Sequence, residues 1–296
     1  MIVSKQERVI QIISHIVLGL MCVCAVIPFW LLLAASFSDS SYAVAEGYKF
    51  FPEALSLDAY SYILNQWAQI GRAYGVTIVV TIVGTLSSLL ITSMMAYGLS
   101  QKNLPGKKLI TVLLLITMLF NGGIVPQYMI YSNYLHLKNT LLGLIVPNLL
   151  TNAFTIILVR NYFQTSIPYE LLEAMQMDGA GPFRIFWKLI LPLSKPILAT
   201  VGIMSAVTYW NDWNNGLYYI TDSKLFSVQQ LLNEMNNNIL FMANNAGQLA
   251  GVDVTTLPTA TMRLAIAAVA IVPIMIAYPF FQKYFSKGIV MGAVKG

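Results

Sequence analysis

The sequence predicts an all-α, polytopic membrane protein with six transmembrane helices and one cytoplasmic helical hairpin. Of its 296 residues, 57% are hydrophobic and only 10% are charged, whereas a soluble domain carries about 25% charged residues. A surface so poor in charge would aggregate in water, which excludes a soluble globular protein. The apolar residues instead gather into segments of about 20 residues, the length that crosses a bilayer core of about 30 Å. We therefore expect residues 1–296 to form a single membrane domain.

Six apolar segments have the length of a membrane span. In chain order they are Ile10–Ala35, Val76–Leu99, Leu109–Ile130, Thr140–Val159, Ile197–Ile220 and Leu264–Phe281. The fifth is the least regular, because its continuous hydrophobicity ends near Trp210 and polar residues follow. We expect a wet cavity or an interface to begin there.

The basic residues predict the orientation, because lysine and arginine collect in cytoplasmic loops. Most of the 17 lie on one side of the spans, namely Lys5, Arg8, Lys102, Lys107, Lys108, Arg160, Arg184, Lys188, Lys195, Lys283, Lys287 and Lys295. These 12 share their side with four acidic residues, whereas the other five share theirs with eight, so the net charges are +8 and −3. Both termini are therefore expected on the cytoplasmic side of the cell membrane. Charge split in this way is a topology signal, and nucleic-acid binding is not predicted.

The spans lack the groups that other classes of membrane protein use. Asp212 is the only Asp, Glu, Lys or Arg within the six segments, whereas ion-coupled carriers usually need ionisable groups at membrane depth. The sequence contains no metal-binding cluster, no nucleophile motif and no phosphate-binding loop. We therefore expect no catalytic residue, no metal and no cofactor in this chain. If the chain takes part in active transport, the energy must come from another chain.

Three connections are long, namely the outer loops Phe37–Gly75 and Thr221–Arg263 and the cytoplasmic loop Arg160–Pro196. In the cytoplasmic loop, Pro168 suits the first turn of a helix and Gly179 suits its end. A second helix is predicted to begin at Pro182. Its apolar stripe follows the helical period and should lie against the membrane bundle, and it comprises Phe183, Phe186, Trp187 and Ile190.

The first helix of this hairpin carries a different pattern. Leu171, Leu172 and Met175 are predicted to form a small apolar knob beside Glu170 and Glu173. A knob held away from the membrane suits insertion into a groove of another protein. The alternative is an interfacial amphipathic hairpin without a partner.

The amino-acid sequence of this loop favours the docking interpretation. The segments Glu173–Met175, Asp178–Ala180 and Leu191–Leu193, with Phe186 between them, resemble the EAA loop of binding-protein-dependent ABC transporter permeases, the MetI-like superfamily. In that family the loop forms a coupling helix that docks into a cleft of the cytoplasmic ATPase. The third motif residue is usually Ala, and Met175 stands there in this chain.

Other segments extend the resemblance over nearly the whole chain. Phe120–Pro126 and Leu135–Thr140 resemble the third-span region of carbohydrate permeases, and Trp210–Trp213 resembles the segment after their fifth span. The ending, Tyr278–Phe285 followed by Gly292–Gly296, is similar to the MalG/LplC-like type of carbohydrate-uptake permease.

The resemblance implies an importer for a carbohydrate, an oligosaccharide or a polysaccharide fragment. Its partners would be a second permease chain, expected to form a heterodimer, two ATPase subunits that bind ATP and Mg²⁺, an extracellular solute-binding protein, and membrane lipid. The coupling residues are expected to be Glu170, Leu171, Leu172, Glu173, Ala174, Met175, Asp178, Gly179 and Ala180. The C-terminal residues expected near the ATPases are Gly292, Lys295 and Gly296. For Gly179, the alternative role is a helix stop only.

Aromatic faces and amide groups are the side chains that bind sugars. The expected substrate lining is therefore Tyr209, Trp210, Asn211, Trp213 and Asn214. The alternative is an aromatic belt at the membrane interface. The outer loop 221–263 contains a possible helix over Phe226–Met242, and the resemblance implies that this loop reaches toward the binding protein. The alternative is an ordinary solvated loop.

Other functions stay open beside this one. A permease for a peptide, amino acid or metal would share the loop, and a stand-alone secondary transporter would work without an ATPase. A membrane enzyme is disfavoured because the sequence has no nucleophile and base in a catalytic pattern.

Overall fold

The computed structural model describes residues 5–244 and 261–273, together with 275, 276 and 279. Within these residues the chain is mostly helical and contains no β-strand, and a single antiparallel bridge joins Ser38 to Leu55. The first helices are α1 Lys5–Ser36, α2 Ser40–Glu46, α3 Asp58–Asn65, α4 Trp67–Ser100, α5 Lys107–Leu119, α6 Ile124–Met129 and α7 Leu142–Ile145. The next are α8 Ala153–Ser166, α9 Tyr169–Met177, α10 Pro182–Ile185, α11 Leu191–Leu193, α12 Lys195–Trp210, α13 Asn214–Tyr219, α14 Val228–Asn244 and α15 Thr261–Pro273. Two π-helical turns, Ile130–Tyr134 and Phe186–Ile190, and one 3₁₀ turn, Ser223–Leu225, complete the secondary structure.

Among the residues that the structure describes, two helices are long and apolar enough to cross a membrane by themselves. These are α1, from Arg8 to Ser36, and α4. Two further spans are possible if each of two bent helix pairs is one span. The pairs are 107–119 with 124–134, bent by 115°, and 182–193 with 195–210, bent by 81°. The helical membrane architecture thus agrees with the prediction, and the count of six spans is not confirmed.

The expected third span is broken in its middle. Helix α5 ends at Leu119, and α6 begins after four non-helical residues. Gly123 has φ +84°, a backbone conformation that glycine adopts without steric cost. The backbone N–H of Gly123 donates a hydrogen bond of 2.9 Å to the side-chain oxygen of Asn121. Glycine freedom and this local side-chain bond replace the continuous helix that hydrophobicity alone predicts.

The expected fourth and fifth spans are broken as well. Helix α7 is one turn long, and Pro147 and Asn148, the latter with φ +60°, separate it from α8. A proline cannot donate to the helical ladder, so the helix ends. In the fifth span, α12 ends at Trp210, where the chain turns polar, and α13 follows at Asn214. Of the sixth expected span, the structure describes residues 264–273, 275, 276 and 279, and α15 covers the first ten of these.

The chain divides into two compact units. The first comprises residues 1–68 and 232–274, and the second comprises 69–231 and 275–296. In the first unit, residues 8–34 of α1 include no buried residue, whereas Ala35 and Ser36 at its end are buried. At the end of α1, Trp30 Nε1 donates a hydrogen bond of 3.1 Å to the carbonyl oxygen of Phe50, and the Ser36 hydroxyl lies 2.8 Å from that of Tyr60. The single domain over 1–296 stays a prediction.

The second unit holds a hydrophobic core that joins the loop 160–196, which the charges predict to be cytoplasmic, to three longer helices. Its buried members come from α4, α8, α9, α10, α12 and the segments between them, and they are Ala96, Val159, Phe163, Ile167, Leu172, Ala180, Ile185, Phe186, Ile190, Ile197 and Val201. We call this set the loop core. A close-packed core of this kind transmits strain between the elements that it joins.

Candidate coupling loop and substrate region

Both ends of α9 are fixed. Before it, Ile167 is buried in the loop core, and Pro168 takes an extended conformation (φ −58°, ψ 131°) that starts the helix. The ammonium group of Lys102 lies 3.7 Å from the ring centroid of Tyr169, the first helical residue. A cation so close to an aromatic face is attracted by the ring quadrupole. This contact holds the start of α9 against the loop that follows α4.

The end of α9 forms a Schellman motif. The N–H of Ala180 donates to the carbonyl of Met175 at 2.9 Å, and the N–H of Gly179 donates to that of Gln176 at 3.0 Å. Gly179 has φ +75°, the left-handed conformation that this motif requires and that glycine supplies at least cost. Gly179 thus ends the helix as the sequence predicts, and its role in coupling stays a prediction.

The inner face of α9 is buried, which corrects the predicted apolar knob. Leu172 is only 7% exposed and belongs to the loop core, and Met175, three residues later on the same helical face, packs against that core. Of the three predicted knob residues, Leu171 alone projects outward, with 43% of its surface exposed. Ala180 is also buried, beside the Schellman motif. These residues anchor the helix and do not present it to a partner.

The outer face of α9 is acidic with an apolar end. Its exposed residues include Glu170, Glu173 and Ala174, and Asp178 and Gly179 are exposed at its end. None of these carboxylates forms an ion pair with a residue that the structure describes. Met177, which is not among the residues predicted from the sequence, is 89% exposed. Its position four residues after Glu173 and seven after Glu170 was the available signal, because this spacing places the three on one face.

The second helix of the hairpin begins at Pro182, as predicted, but its buried face differs from the prediction. Ile185, Phe186 and Ile190 are buried, whereas Phe183 is 70% and Trp187 56% exposed. The cause is the π-helical turn Phe186–Ile190, because a wider turn shifts the phase of the residues around it. The ring of Phe186 packs 5.5 Å from that of Tyr97 in α4. Half of the predicted stripe is therefore on the surface of this chain.

Also in the second unit, side chains of the fifth expected span donate hydrogen bonds to backbone carbonyl groups at the break in the fourth expected span. The hydroxyl of Tyr209 donates to the carbonyl of Ile145 at 3.0 Å, and Asn215 Nδ2 donates to that of Pro147 at 2.9 Å. Tyr209 is 3% and Asn215 4% exposed. Inside a membrane, backbone groups released by a helix break must find partners within the protein. Tyr209 therefore serves the fold, which corrects its predicted place in a substrate lining.

The remaining substrate candidates differ in exposure. Trp210 is half-buried, and its ring lies 6.4 Å from that of Tyr74. Asn211 and Asn214 are exposed, and so is Trp213 at 42%. The amide of Asn211 already donates to the carbonyl of Val207 at 2.9 Å. Trp213 and Asn214 thus offer an aromatic face and an amide at the break between α12 and α13, and their contact with substrate stays a prediction.

Further amides lie at the helix breaks and are not among the residues predicted from the sequence. The side chain of Asn121 accepts from Gln127 Nε2 at 3.2 Å, and Gln127 Oε1 accepts from Asn148 Nδ2 at 3.0 Å. This chain of amides connects the breaks of the third and fourth expected spans. The apolar surroundings of Asn148, together with Pro147, were the available signal for a helix break.

A second polar clamp holds the segment between these breaks. Asn139 Oδ1 accepts hydrogen bonds from the backbone N–H groups of Thr221 at 2.7 Å and Asp222 at 3.1 Å, and its Nδ2 donates to the Thr221 hydroxyl at 2.9 Å. Its backbone N–H donates to the carbonyl of Tyr219 at 2.9 Å. Asn139 has φ +55°, a conformation that asparagine tolerates better than most residues.

The C-terminal residues Gly292, Lys295 and Gly296, which are expected near the ATPases, lie outside the described residues.

Comparison with known proteins identifies the family. Residues 75–291 match the family described as binding-protein-dependent transport system inner membrane component. The chain is 34% identical to protein LplC of Bacillus subtilis, with 99% of this chain and 97% of LplC covered. It is 35% identical to the polygalacturonan/rhamnogalacturonan transport system permease protein YtcP of the same organism, with 98% and 100% covered.

A solved structure is similar in fold and sequence. It is a chain of a bacterial ABC transporter involved in the import of the acidic polysaccharide alginate, with a TM-score of 0.80 and 31% identity. The match covers 95% of this chain and 98% of that one. The family match over most of the chain and the full-length relatives lead to one conclusion: this protein belongs to the binding-protein-dependent transport system inner membrane components.

Proposed function

We propose that this chain is the permease subunit of an ABC importer for a carbohydrate, an oligosaccharide or a polysaccharide fragment. An extracellular binding protein delivers the substrate, and two ATPase subunits, which bind ATP and Mg²⁺, supply the energy. A second, homologous permease chain completes the membrane passage. The charge distribution supports a cytoplasmic position for both termini and for α9. The chain itself is a non-catalytic membrane subunit.

The observation that carries the proposal is the two-faced structure of α9. Its inner face is fixed in the loop core, and its outer face presents the exposed Met177 and carboxylates that form no ion pair within the described part of the chain. An ATPase that binds this outer face therefore acts on α4, α8 and α12 through packed side chains. A small docking contact of this kind is sufficient to bias a bundle between two conformations.

The first experiment separates coupling from assembly. Glu173→Lys reverses the charge of the outer face, and Gly179→Asp places a side chain at a left-handed position. Both variants should insert into the membrane at normal levels and lose uptake when they are expressed with all partner subunits. Gly181→Ala is the matched control, because Gly181 has φ −70° and open space around it. Normal uptake by both variants would contradict the coupling role of α9.

The requirement for an ATPase is tested directly with purified protein. The complete complex in vesicles should transport the carbohydrate only when ATP is present on the side of the membrane where the ATPases lie. The chain without ATPases should give no uptake. Transport by this chain alone would identify a secondary transporter instead.

The transport activities of the relatives support a carbohydrate substrate. YtcP is a permease for polygalacturonan and rhamnogalacturonan, and the structural neighbour takes part in alginate import. Binding of the cognate solute-binding protein should therefore be measured against both uronate-containing and neutral oligosaccharides. Selective binding of a peptide, amino acid or metal ion would contradict the carbohydrate assignment.

Trp213→Ala and Asn214→Ala test the substrate region. If the exposed residues at the break between α12 and α13 contact sugar, each change should raise the half-saturating concentration for uptake and leave the ATPase rate without substrate unchanged. Tyr218→Ala, an exposed change nearby, is the control. Unchanged affinity in both variants would assign these residues to an interfacial belt.

A further inference from the structure

Helix α5 begins with two positive side chains, and α8, which packs beside it, carries a third. Lys107 is the first residue of α5, Lys108 follows it, and Arg160 lies in α8. The two helices pack side by side in the second unit. Lys107 and Arg160 are close enough for their like charges to oppose each other. Like charges placed together in this way raise the energy of the fold unless an opposite charge is present.

No such opposite charge comes from the described part of the chain. The ion pairs found there are both made by Lys49, which lies in an outer loop. Arg160 Nε is buried and has no hydrogen-bond partner among the described residues, and Lys107 Nζ donates only to the neutral carbonyl of Gln101, at 2.9 Å. A buried donor of a charged group that lacks an acceptor costs free energy.

The start of α5 adds to the positive potential. Its first turn carries no acidic residue and its cap, Gly106, offers no side-chain acceptor. The N-terminal end of a helix already has partial positive charge, so two lysines in the first turn are unfavourably placed. An anion that binds here would compensate the positive charges of Arg160, the lysines and the helix end at once.

The depth of the cluster indicates which anion is available. Immediately after Lys108, the apolar side chains of α5 begin, and none of its residues is buried within this chain. Leu109, Val112 and Leu113 are each more than half exposed. The cations thus lie where exposed hydrocarbon-like surface gives way to polar residues. In a membrane component, the anion at that boundary is the phosphate of a lipid headgroup.

We propose that Lys107, Lys108 and Arg160 bind the phosphate of an anionic phospholipid in the cytoplasmic leaflet. The acyl chains lie along the exposed side of α5. The site also bears on the coupling loop, because Lys107 holds the carbonyl of Gln101 and the next residue, Lys102, rests on the ring of Tyr169. Bound lipid therefore stabilises the loop that fixes the start of α9.

The test uses the full-length chain in its assembled complex, purified in mild detergent with equal amounts of phosphatidylglycerol and phosphatidylcholine. Native mass spectrometry then counts the lipids retained. Lys107→Gln and Arg160→Gln should each lower phosphatidylglycerol retention about fivefold, the contribution of one cation near an anionic surface. Lys195→Gln is the matched control, because Lys195 also begins a helix on the expected cytoplasmic side and lies outside the cluster.

Two further arms complete the design. Arg160→Lys keeps the charge and should retain more phosphatidylglycerol than Arg160→Gln, which separates charge from misfolding. Inorganic phosphate at millimolar concentration should not displace the lipid, since it lacks acyl chains. Equal retention by the wild type and the Lys107→Gln/Arg160→Gln double variant would overturn the proposal, as would full displacement by inorganic phosphate, which would identify a soluble anion as the ligand.

Discussion

The hydroxyl of Tyr209 in α12 donates a hydrogen bond of 3.0 Å to the carbonyl oxygen of Ile145, the last residue of α7. The two residues are 64 positions apart in the sequence. The bond satisfies a carbonyl that the helix break before α8 would otherwise leave without a donor at membrane depth. Tyr209, which the sequence predicts in the substrate lining, thus supports an interrupted helix.

Tyr209→Phe should destabilise the protein and leave substrate affinity unchanged. The change removes the donor and leaves the buried carbonyl of Ile145 unsatisfied, at a cost of about 1–3 kcal/mol. Thermal unfolding of the purified protein in detergent measures the loss. Tyr218→Phe, at an exposed position, should unfold like the wild type. A changed affinity without loss of stability would return Tyr209 to the substrate site.

Gly84→Ala should be destabilising, because a Cβ at this position would lie 2.5 Å from the Tyr209 ring atom Cζ. Overpacking of this kind costs about 1–3 kcal/mol. Gly98 belongs to the same helix, α4, and a Cβ added there would meet no atom within 4 Å, so Gly98→Ala is the control. In a double-mutant cycle with Tyr209→Ala the two effects should be non-additive, and simple additivity would argue against the contact.

Gly179→Ala should weaken the end of α9, whereas Gly181→Ala should be close to neutral. A non-glycine residue in the left-handed conformation costs about 1–2 kcal/mol, and Gly179 adopts that conformation while Gly181 does not. Hydrogen exchange over residues 175–181 should be faster in the first variant only. Equal exchange in the two variants would mean that the Schellman motif does not depend on Gly179.

Asn139 allows its side-chain and backbone roles to be separated. Asn139→Gly removes the bonds to Thr221 and Asp222 but keeps φ +55° accessible, whereas Asn139→Ala removes the bonds and adds backbone strain. The alanine variant should therefore be less stable than the glycine variant by about 1 kcal/mol, and both should be less stable than the wild type. Thermal unfolding provides the comparison. The reverse order would indicate that the backbone conformation differs.

Asp39, which caps α2, should make the first turn of that helix sensitive to acid. Its carboxylate accepts hydrogen bonds from the Ser41 hydroxyl and from the backbone N–H groups of Tyr42 and Ser41, which lower its pKa below the ordinary 3.8. Because the folded pKa is the lower one, the stabilisation is fully present above pH 3.8 and is lost as the pH falls through the folded value.

The measurement is hydrogen exchange at Ser41 and Tyr42, normalised to the intrinsic rate at each pH. Protection should fall in acid in the wild type. In Asp39→Asn the amide oxygen still accepts from the backbone but does not titrate, so protection should be largely independent of pH. An equal fall in the variant would assign the effect to Glu46 or Glu53, which interact with Lys49 nearby.

Much of the fold could be predicted from the sequence, and the failures have specific physical causes. The start of the second hairpin helix at Pro182 and the end of the first at Gly179 follow from local backbone chemistry, and both are found. The prediction of an exposed apolar knob on α9 was wrong because hydrophobicity does not indicate which side of the helix faces a core. The prediction that the stripe from Phe183 to Ile190 is buried was wrong in half of its residues. It assumes 3.6 residues per turn, and the π-helical turn that begins at Phe186 breaks that period.

The sequence by itself determined that this chain is a helical membrane protein, where the first hairpin helix ends and the second begins, and which family it resembles. These properties depend on composition and on local conformational preferences, which each short segment carries alone. Only the tertiary structure decided that three expected spans are interrupted, that Leu172 anchors α9 and that Tyr209 supports Ile145. The position of Leu172 and the role of Tyr209 depend on partners far away in sequence, because a broken helix is stable in lipid only where other groups of the protein supply the missing hydrogen bonds.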